Sequence, residues 1–366
     1  MAEISSLASL TPDGCRRRQD RLREHLAALK LDAALLTDSR YINYFTGHWN
    51  RSILPGALLI QSSGETLLST AIVADDAVLA DRKEVYESSH LATLADNLPA
   101  VSLQPLLARL GTFKKIGCDN PPHLWQAMQW EFSDLGPTLL SMRRAKDPDE
   151  VDMIRRAIAA CEAAYGRARE ILEPGVSEVR VYAEMLAAAT EAVGESIGEM
   201  GNDFQAGSLG GLPRRRPVES GELMPLDVSI AVRGYNCDLC RTFAVNRQPT
   251  AAQMQCYELV MAAFAHLEST ACAGASCRQL YQEIHSRLDG QNGWIFPHHL
   301  GHGIGLFPHE APRLNPNYND TLEVGDVITF EPGLYSDELR GGIRIEQDYL
   351  VTENGLERLS HFPTDL

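Results

Sequence analysis

The stretch LDVSIAVRGYNCDLCRTF (residues 226–243) contains two β-rich runs separated by the turn signal Arg233-Gly234. Asp227 stands on the first run and Asp238 on the second. If the turn is centred on Val232-Arg233, the two aspartates face each other across an antiparallel hairpin, with about 4.5–5.5 Å between their Cβ atoms. Two carboxylates this close repel each other unless a cation or a proton lies between them. The stretch therefore predicts a β-hairpin that presents two carboxylates to a shared positive charge.

A second hairpin pattern, VITFEPGLYSDELRGGIRIEQDYLVT (residues 327–352), repeats this arrangement further along the chain. Glu331 and Glu346 flank its glycine-containing turn, and Arg344 lies on the same strand face as Glu346. The pattern is strand-like and apolar, and charges buried in such a place are costly without partners. We therefore expect these charged side chains to meet others.

Between the hairpins, FPHHLGHGIGLFPHEAP (residues 296–312) contains four of the chain's histidines. A histidine-rich stretch is more often structural than metal-binding, and lone strand aspartates are usually surface residues. Considered jointly, however, the hairpins and this stretch offer four carboxylates and one imidazole: Asp227, Asp238, His302, Glu331 and Glu346. Such an oxygen-rich set suits two divalent ions of the Mn, Fe, Co or Zn type rather than a thiolate zinc site. Two ions about 3.5–4 Å apart would hold a bridging hydroxide, the usual nucleophile of a two-metal hydrolase.

The composition is that of a globular protein with two domains. A chain of 366 residues exceeds the usual size of one core, and its 44% hydrophobic residues can fill two. The formal net charge of −16 disfavours nucleic acid or an anionic membrane as partner, because phosphates would be repelled. No run reaches the roughly 20 apolar residues of a membrane span, and no signal peptide is evident, so we expect a cytoplasmic protein. The eight scattered cysteines are expected to be reduced.

The pattern of elements divides the chain after residue 142. Residues 1–142 alternate short β-rich runs with helix-like segments, which predicts a small N-terminal α/β domain. Asp147 can then cap a helix that has Pro148 at its first position and Glu150 in a capping box. Apolar residues follow at helical spacing: Val151, Ile154, Ile158, Cys161 and Tyr165. A long amphipathic helix thus opens a second domain, residues 143–366.

The second domain contains an internal repeat. GVSEVRVYAEM (residues 175–185) and GASCRQLYQEI (residues 274–284) share Gly, Ser, Tyr and Glu at identical spacing, 99 residues apart. In each copy a glycine follows a long helix and a serine can cap the next one. β-like sequence follows both copies, which favours two related halves that contribute strands to a shared sheet, with the helices on one side.

Four segments resemble the active-site segments of the pita-bread metallohydrolases, which include aminopeptidase P, prolidase, methionine aminopeptidase and creatinase. They are LDVSIAVRGYNCDLCRTF (226–243), HHLGHGIGLFPHEAP (298–312), ITFEPGLY (328–335) and GGIRIEQDYLVTENG (341–355). TDSRYINYFTGHW (37–49) resembles the N-terminal domain of the prolidase, aminopeptidase P and creatinase branch. The resemblance implies an α/β two-domain chain: a small creatinase-like N-terminal domain and an α+β, pseudo-twofold pita-bread catalytic domain.

By this resemblance, the candidate ligands divide between two divalent ions. Asp227 would bind one ion, while Asp238 and Glu346 would bridge both. His302 and Glu331 would complete the ligands of the other ion. Manganese is expected first, with cobalt, zinc or iron as alternatives. The complete ligand set disfavours a creatinase-like enzyme, which works without metal.

The same resemblance assigns roles on the substrate side. His298 and His309 match histidines that steady the scissile carbonyl and the developing oxyanion. Glu331 matches a carboxylate that moves a proton from the attacking water to the leaving nitrogen. Arg344 matches an arginine near the site of some family peptidases, with a salt bridge to a nearby carboxylate as the alternative. His299 is expected to point to the opposite strand face and to be structural.

Two departures from the family pattern bear on the substrate. Peptidase relatives usually carry another histidine shortly before the first aspartate strand, where this chain reads QAGSLGGLPRRRPVESGE (205–222). Arg214, Arg215 and Arg216 in this region form either a solvated loop or a carboxylate-binding fork at the pocket mouth. Cys237 and Cys240 form a C-x-x-C pair, but they fall on opposite faces of a strand, so two inert thiols are expected.

The resemblance implies a hydrolase of Xaa-Pro peptide bonds, prolidase-like or aminopeptidase P-like, that acts on small proline-containing peptides as a homodimer. One alternative is a non-peptidase of the same fold that opens a small amide or amidine, as ectoine hydrolase or creatinase relatives do. Another is a catalytically silent binding protein. If the arginines at 214–216 grip a C-terminal carboxylate, we expect dipeptides to be preferred over long peptides.

Overall fold

A computed structural model describes residues 9–50, 53–88, 94, 97–119, 131–198 and 200–366 of the chain. They form two compact units, Ser9–Arg143 and Arg144–Leu366. None of the helices in the described residues combines the length and the apolar character that a bilayer crossing requires. All eight cysteines are free, in agreement with the expectation of reduced thiols.

The N-terminal unit is built on a six-stranded mixed sheet with the strand order β4-β3-β2-β1-β5-β6. Its central strands β1 and β2 are buried along their whole length, which explains their continuous apolar sequence. The helices of the unit are α1 (Pro12–Leu29), α2 (Ser39–Thr46), α3 (Leu98–Leu103), α4 (Leu107–Leu110) and α5 (Gly136–Met142). The strands are β1 (Ala33–Leu36), β2 (Ala57–Gln61), β3 (Thr66–Thr70), β4 (Arg82–Val85), β5 (Lys115–Cys118) and β6 (Glu131–Asp134).

The C-terminal unit combines four long helices with one long and one short β-hairpin and a five-stranded sheet of order β10-β9-β11-β14-β15. The helices are α6 (Pro148–Ile171), α7 (Glu178–Val193), α8 (Ala251–Thr270) and α9 (Cys277–Leu288). The hairpin strands are β7 (Leu223–Val232), β8 (Tyr235–Ala244), β12 (Gly333–Ser336) and β13 (Gly341–Arg344). The remaining strands are β9 (Gly301–Gly303), β10 (Glu310–Leu314), β11 (Val327–Phe330), β14 (Gln347–Thr352) and β15 (Gly355–Arg358).

The helix α6 begins as its sequence predicts. Asp147 and Glu150 form a capping box around Pro148 at the first turn. The predicted apolar face is buried, and its last member, Tyr165, donates a hydrogen bond of 2.5 Å to the carbonyl oxygen of Leu239. Because Leu239 lies in the middle of β8, this contact fixes the first hairpin against the helix.

Helices α8 and α9 bury their apolar faces against the sheet of the second half. Phe264, Leu267 and Ile284 belong to one core cluster with the strand residues Ile328 and Phe330, and all five are at most 2% exposed. Burying a side chain of this size contributes roughly 1.5–3 kcal/mol. The cluster therefore fixes the position of β11 and of Glu331, which directly follows it.

The two halves of this unit make equivalent backbone contacts, but the expectation of one shared sheet is wrong, because β7 and β8 pair with each other in a separate two-stranded sheet. In each copy the serine caps the following helix, α7 or α9. The N–H of Gly175 donates to the carbonyl oxygen of Val218 (2.9 Å), and the N–H of Gly274 donates to that of Leu322 (2.7 Å). Each half thus joins the start of its second helix to the segment that leads into its carboxylate-bearing strand.

The equivalence extends to the turns before β7 (residues 219–222) and β11 (residues 323–326). In each turn the N–H of the first residue donates to the carboxylate of the fourth, at 2.8 and 2.7 Å. Asp227 and Glu331 each stand five residues after their turn. The fold therefore brings two carboxylates from equivalent strand positions toward one centre.

Candidate active site

The first hairpin carries Asp227 and Asp238 on one face, but not directly opposite each other. Asp227 pairs with Cys240, and Asp238 pairs with Ser229. The expected direct pairing is wrong because the turn lies on Arg233-Gly234, whose φ angles of 49° and 85° suit a two-residue hairpin turn. Moving the turn by one position shifts each partner by two residues. Since side chains alternate along a strand, both carboxylates stay on the same face.

The second hairpin presents Glu331 and Glu346 at the points where it passes between two sheets. β11 pairs with β14 and β12 pairs with β13, so that Glu331 and Glu346 lie in the gap between the two ladders. The N–H of Glu331 donates to the carbonyl oxygen of Leu300 (2.8 Å), and that of Glu346 donates to Cys240 (3.0 Å). The contact with Cys240 joins the two hairpins beside the carboxylates.

The side chains of the five sequence-predicted ligands converge at this junction. Donor atoms of Asp227, Asp238 and Glu346 lie within 4.8 Å of one another. Donor atoms of His302, Glu331 and Glu346 form a second such group. His302 Nε2 lies 3.7 Å from Asp238 Oδ2 and 3.8 Å from Glu331 Oε1. Because Glu346 belongs to both groups, the two groups are adjacent, as a site for two neighbouring ions requires.

The carboxylates of this cluster are stable in their ionised form only with positive charge between them. Burial, followed by the neighbouring carboxylates, raises the pKa of Asp238 and of Glu346 well above their usual range. Burial raises the pKa of Asp227 to about 6. Within the described residues, Glu346 Oε2 is buried and has no hydrogen-bond partner. Divalent cations among these oxygens would satisfy that atom and favour the ionised carboxylates, so the donor set fits a metal centre.

The tautomer and the protonation state of His302 suit its binding to a metal ion. Burial lowers its pKa to about 4, so the ring is neutral near pH 7. Its Nδ1 donates to the carbonyl oxygen of Gly303 (3.0 Å), which leaves Nε2 as a free lone pair facing the carboxylates. The neighbouring glycines permit close packing here: a Cβ atom would lie 2.0 Å from Thr329 O at Gly301 and 2.2 Å from Ala311 O at Gly303. Glycine at these two positions therefore lets the neighbouring backbone pack closely beside His302.

Arg344 connects the cluster to a hydrogen-bond network. Its Nη2 donates to Asp227 Oδ2 (2.5 Å) and to Asp203 Oδ2, while its Nη1 donates to the hydroxyl of Tyr335 (3.1 Å). The Tyr335 hydroxyl donates in turn to His298 Nε2 (2.8 Å), whose Nδ1 donates to the carbonyl oxygen of His299. The salt-bridge alternative for Arg344 is therefore realised, and both ring nitrogens of His298 are engaged.

Two members of this network, Tyr335 and Asp203, were not predicted from the sequence, for different reasons. Tyr335 belongs to the segment ITFEPGLY and lies close in sequence to Glu331, which was an available signal. Asp203 stands in an irregular loop with no periodic pattern. Its carbonyl oxygen accepts the N–H of Asp227 (3.0 Å), and its Oδ1 accepts the N–H of Gly211 (2.7 Å).

His309 and His299 border the cluster on its exposed side. The ring centroid of His309 lies 4.3 Å from that of His302, and donor atoms of His309, His302 and Asp238 lie within 4.8 Å of one another. The expectation that His299 faces away is wrong: its Nδ1 lies 3.0 Å from Glu331 Oε1. The segment is a bend rather than a strand, so the alternation of side chains does not apply.

Two of the three consecutive arginines are committed to internal carboxylates. Arg214 Nη2 and Nε donate to the two oxygens of the buried Glu178, at 2.6 and 2.9 Å. Arg216 Nη1 donates to Glu222 Oε2 (3.0 Å). Within the described part of the chain, Arg215 makes no ion pair and is exposed. The three side chains therefore do not form a free carboxylate-binding fork, because Arg214 and Arg216 are already paired with carboxylates of the same unit.

The C-x-x-C pair has the separation expected from strand alternation. Cys237 and Cys240 are both buried and free. Burial raises the pKa of each thiol well above its usual range. Both groups are thus protonated near pH 7, which agrees with inert thiols.

Comparison with protein families gives two matches that together span most of the chain. The model of metallopeptidase family M24 matches residues 152–353. The model of the creatinase/prolidase N-terminal domain matches residues 18–144. The first of these regions contains the whole cluster of carboxylates and histidines.

Named relatives share the full length or the catalytic part. An uncharacterized peptidase of Bacillus subtilis (strain 168) is 28% identical over 365 residues, covering 95% of this chain and 98% of the relative. A Xaa-Pro dipeptidase of Pyrococcus furiosus is 30% identical over 243 residues, covering 64% of this chain and 68% of the relative.

Solved structures share the fold. The prolidase from Pyrococcus horikoshii OT3 has a TM-score of 0.80 at 23% identity and covers 96% of this chain and 99% of its own. The X-Pro aminopeptidase from Thermotoga maritima MSB8 has a TM-score of 0.78 at 22% identity and covers 95% and 98%. The two-domain architecture is therefore that of the pita-bread peptidases.

Proposed function

The chain belongs to metallopeptidase family M24, and we propose that it hydrolyses Xaa-Pro peptide bonds with two divalent ions. The observation that carries this proposal is the convergence of four carboxylates and one imidazole in a single buried cluster. The names of the relatives support the substrate class, since they include a Xaa-Pro dipeptidase that is 30% identical. A silent binding protein has no need for so many buried carboxylates in one place.

We assign the ligands as follows. Asp227 would hold one ion, His302 and Glu331 would hold the other, and Asp238 and Glu346 would serve both. When bound, the ions supply positive charge that polarises the scissile carbonyl and activates a water molecule. Glu331 Oε1 is the proposed acceptor of the proton that leaves this water. His299 Nδ1, which lies 3.0 Å from that oxygen, orients it.

The substrate-side roles follow from exposure and from hydrogen bonding. His309 is exposed beside the cluster, and we propose that its ring N–H donates to the developing oxyanion. His298 instead accepts from the Tyr335 hydroxyl, and Tyr335 accepts from Arg344. We propose that His298 and Arg344, which are linked through the Tyr335 hydroxyl, together position this side of the site against the substrate.

The finer assignments are part of the same proposal. The oxygen-rich donor set supports manganese as the metal. The family resemblance supports a homodimer, and the eight free cysteines support a cytoplasmic location, where thiols stay reduced. We place the domain division between residues 142 and 143, and the compact units divide one residue later.

The test is metal-dependent hydrolysis of Ala-Pro and of longer Ala-Pro peptides. Protein stripped by a chelator should be inactive and should recover activity with Mn²⁺. Glu346→Gln should stay inactive after reloading, because a bridging carboxylate is lost. Glu357→Gln, an exposed position on β15, serves as the matched control and should behave like wild type. Absence of Xaa-Pro cleavage by the reloaded wild type, with cleavage of a small amide or amidine instead, would overturn the proposed substrate class.

A further inference from the structure

A cavity of about 650 Å³ adjoins the active site. It is lined by residues 207–209, 335–337 and 340–341, together with Glu222, Gly293 and Ile295. Pockets of about 300–1,000 Å³ are typical of small-molecule sites, so this space can hold several atoms of an extended peptide. Tyr335 belongs both to the cavity wall and to the hydrogen-bond network of the site.

Tyr335 is a rigid boundary between the two spaces. It pairs with Gly342 across the β12–β13 hairpin, and a Cβ atom at Gly342 would lie 1.9 Å from Tyr335 Cδ1. Its hydroxyl is held by His298 and Arg344 at 2.8 and 3.1 Å. Tyr335 therefore joins the cavity wall to the hydrogen-bond network of the site, and its side chain is held in one position.

The rim of the cavity offers apolar contacts that the chain itself does not use. Leu209 is 54% exposed and Ile295 is 49% exposed. The backbone beneath them is satisfied, since Ile295 and Tyr335 exchange two hydrogen bonds of 3.1 Å. A bound peptide would therefore contact mainly the exposed apolar side chains of the rim and not its backbone. Such contacts do not require one particular peptide sequence.

Among the described residues, the arginine of the site and the arginine of the cavity wall are already paired within the chain. A dipeptide places its C-terminal carboxylate one residue from the scissile bond and needs a cation there. Arg344 donates to Asp227, Asp203 and Tyr335, and its Nε is buried. Arg340, on the cavity wall, donates to the carbonyl oxygen of Ser220 (2.7 Å) and lies 3.4 Å from Glu219. Asp203 adds a further negative charge beside the metal cluster.

We propose that the cavity receives the part of a peptide that follows the proline, so that Xaa-Pro peptides of three or more residues are preferred over dipeptides. The inference rests on the proposed function and names its substrate class more narrowly. It replaces the expectation of a dipeptide preference, which depended on an arginine fork that the structure does not form. In a longer peptide the terminal carboxylate lies away from Asp203, and the added residues contact Leu209 and Ile295.

The test compares kcat/KM for Ala-Pro, its C-terminal amide, and Ala-Pro peptides extended by one to three alanines. The wild type should favour the extended peptides by about tenfold, the range that a few apolar contacts provide. The amide should exceed the free acid, because it removes a carboxylate that has no partner. Ile295→Trp fills the cavity and should abolish the gain with length while leaving Ala-Pro cleavage within about twofold.

Val324→Trp is the matched control, since Val324 is 48% exposed and lies outside the cavity. It should retain the wild-type length dependence, and Leu209→Trp should repeat the effect of Ile295→Trp if the latter folds poorly. Dipeptides cleaved as fast as longer peptides, or a length dependence that survives both cavity variants, would overturn the inference. Failure of the metal-loaded wild type to cleave any of these peptides would instead overturn the proposed function.

Discussion

Arg214→Ala separates a structural role for the consecutive arginines from a substrate-binding one. Glu178 is fully buried and accepts hydrogen bonds from the N–H groups of Ala206 (3.0 Å) and Arg214 (2.8 Å). It also accepts from Arg214 Nε and Nη2, at 2.9 and 2.6 Å. The substitution removes these last two bonds and the Arg214 charge, and leaves the carboxylate with its two backbone donors and with Arg216 Nη1 at 3.9 Å.

The expected loss follows from these contacts. A hydrogen bond to a charged group contributes roughly 1.5–3 kcal/mol. The Arg214 side chain is 41% exposed, so water replaces part of both bonds, and we expect a loss of about 2 kcal/mol in the free energy of unfolding. At about 2–4 °C for each kcal/mol, the melting temperature should fall by about 4–8 °C.

Calorimetry of wild type, Arg214→Ala and Arg215→Ala tests this reasoning. Arg215→Ala is the matched control and should change the free energy of unfolding by less than about 0.5 kcal/mol, because its side chain makes no ion pair in the described residues. The KM for Ala-Pro should be unchanged in both variants. An unchanged melting temperature for Arg214→Ala, together with a clearly raised KM, would refute the structural role and restore the substrate fork.

Three further predictions concern the site. His302→Ala should lose metal, whereas His309→Ala should keep metal and lose roughly 10²–10³ in kcat; elemental analysis showing the reverse would mean that the ligand is assigned to the wrong histidine. Tyr335→Phe should keep its metal content and lower kcat by roughly tenfold, because Arg344 loses a partner; wild-type kcat would refute this role. Burial raises the pKa of Asp227 to about 6, from 3.8, so the unfolded chain releases its proton at lower pH and the metal-free protein loses stability as the pH rises between these values. Mn²⁺ should therefore raise the melting temperature more at pH 7 than at pH 5, and an equal rise would contradict the assignment.

Local signals were sufficient for the elements that carry the ligands. The capping box at Asp147 predicts the start of α6, and the alternating runs predict both hairpins. Period-two alternation also keeps Asp227 and Asp238 on one face although the turn is shifted, so the ligand positions tolerate that error. The repeated Gly-x-Ser pattern predicts the matching halves because each copy ends one helix and caps the next.

Features that depend on distant or irregular segments were not predictable in this way. His299 contacts Glu331 because residues 297–300 bend instead of forming a strand. The partner of Arg214, Glu178, is 36 residues away at the start of α7, and no local pattern indicates that pairing. The ion pair between Asp203 and Arg344 was likewise not predictable, because Asp203 lies in an irregular loop with no periodic pattern.

The central claim is that two ions share the carboxylates of the two hairpins, and metal stoichiometry tests it most directly. Mn²⁺ titrated into chelator-treated protein and followed by calorimetry and elemental analysis should give two ions for each wild-type chain. Asp238→Ala should hold at most one weakly bound ion, since it removes a ligand that both ions share. One ion for each wild-type chain, or two tightly bound ions in Asp238→Ala, would contradict the account.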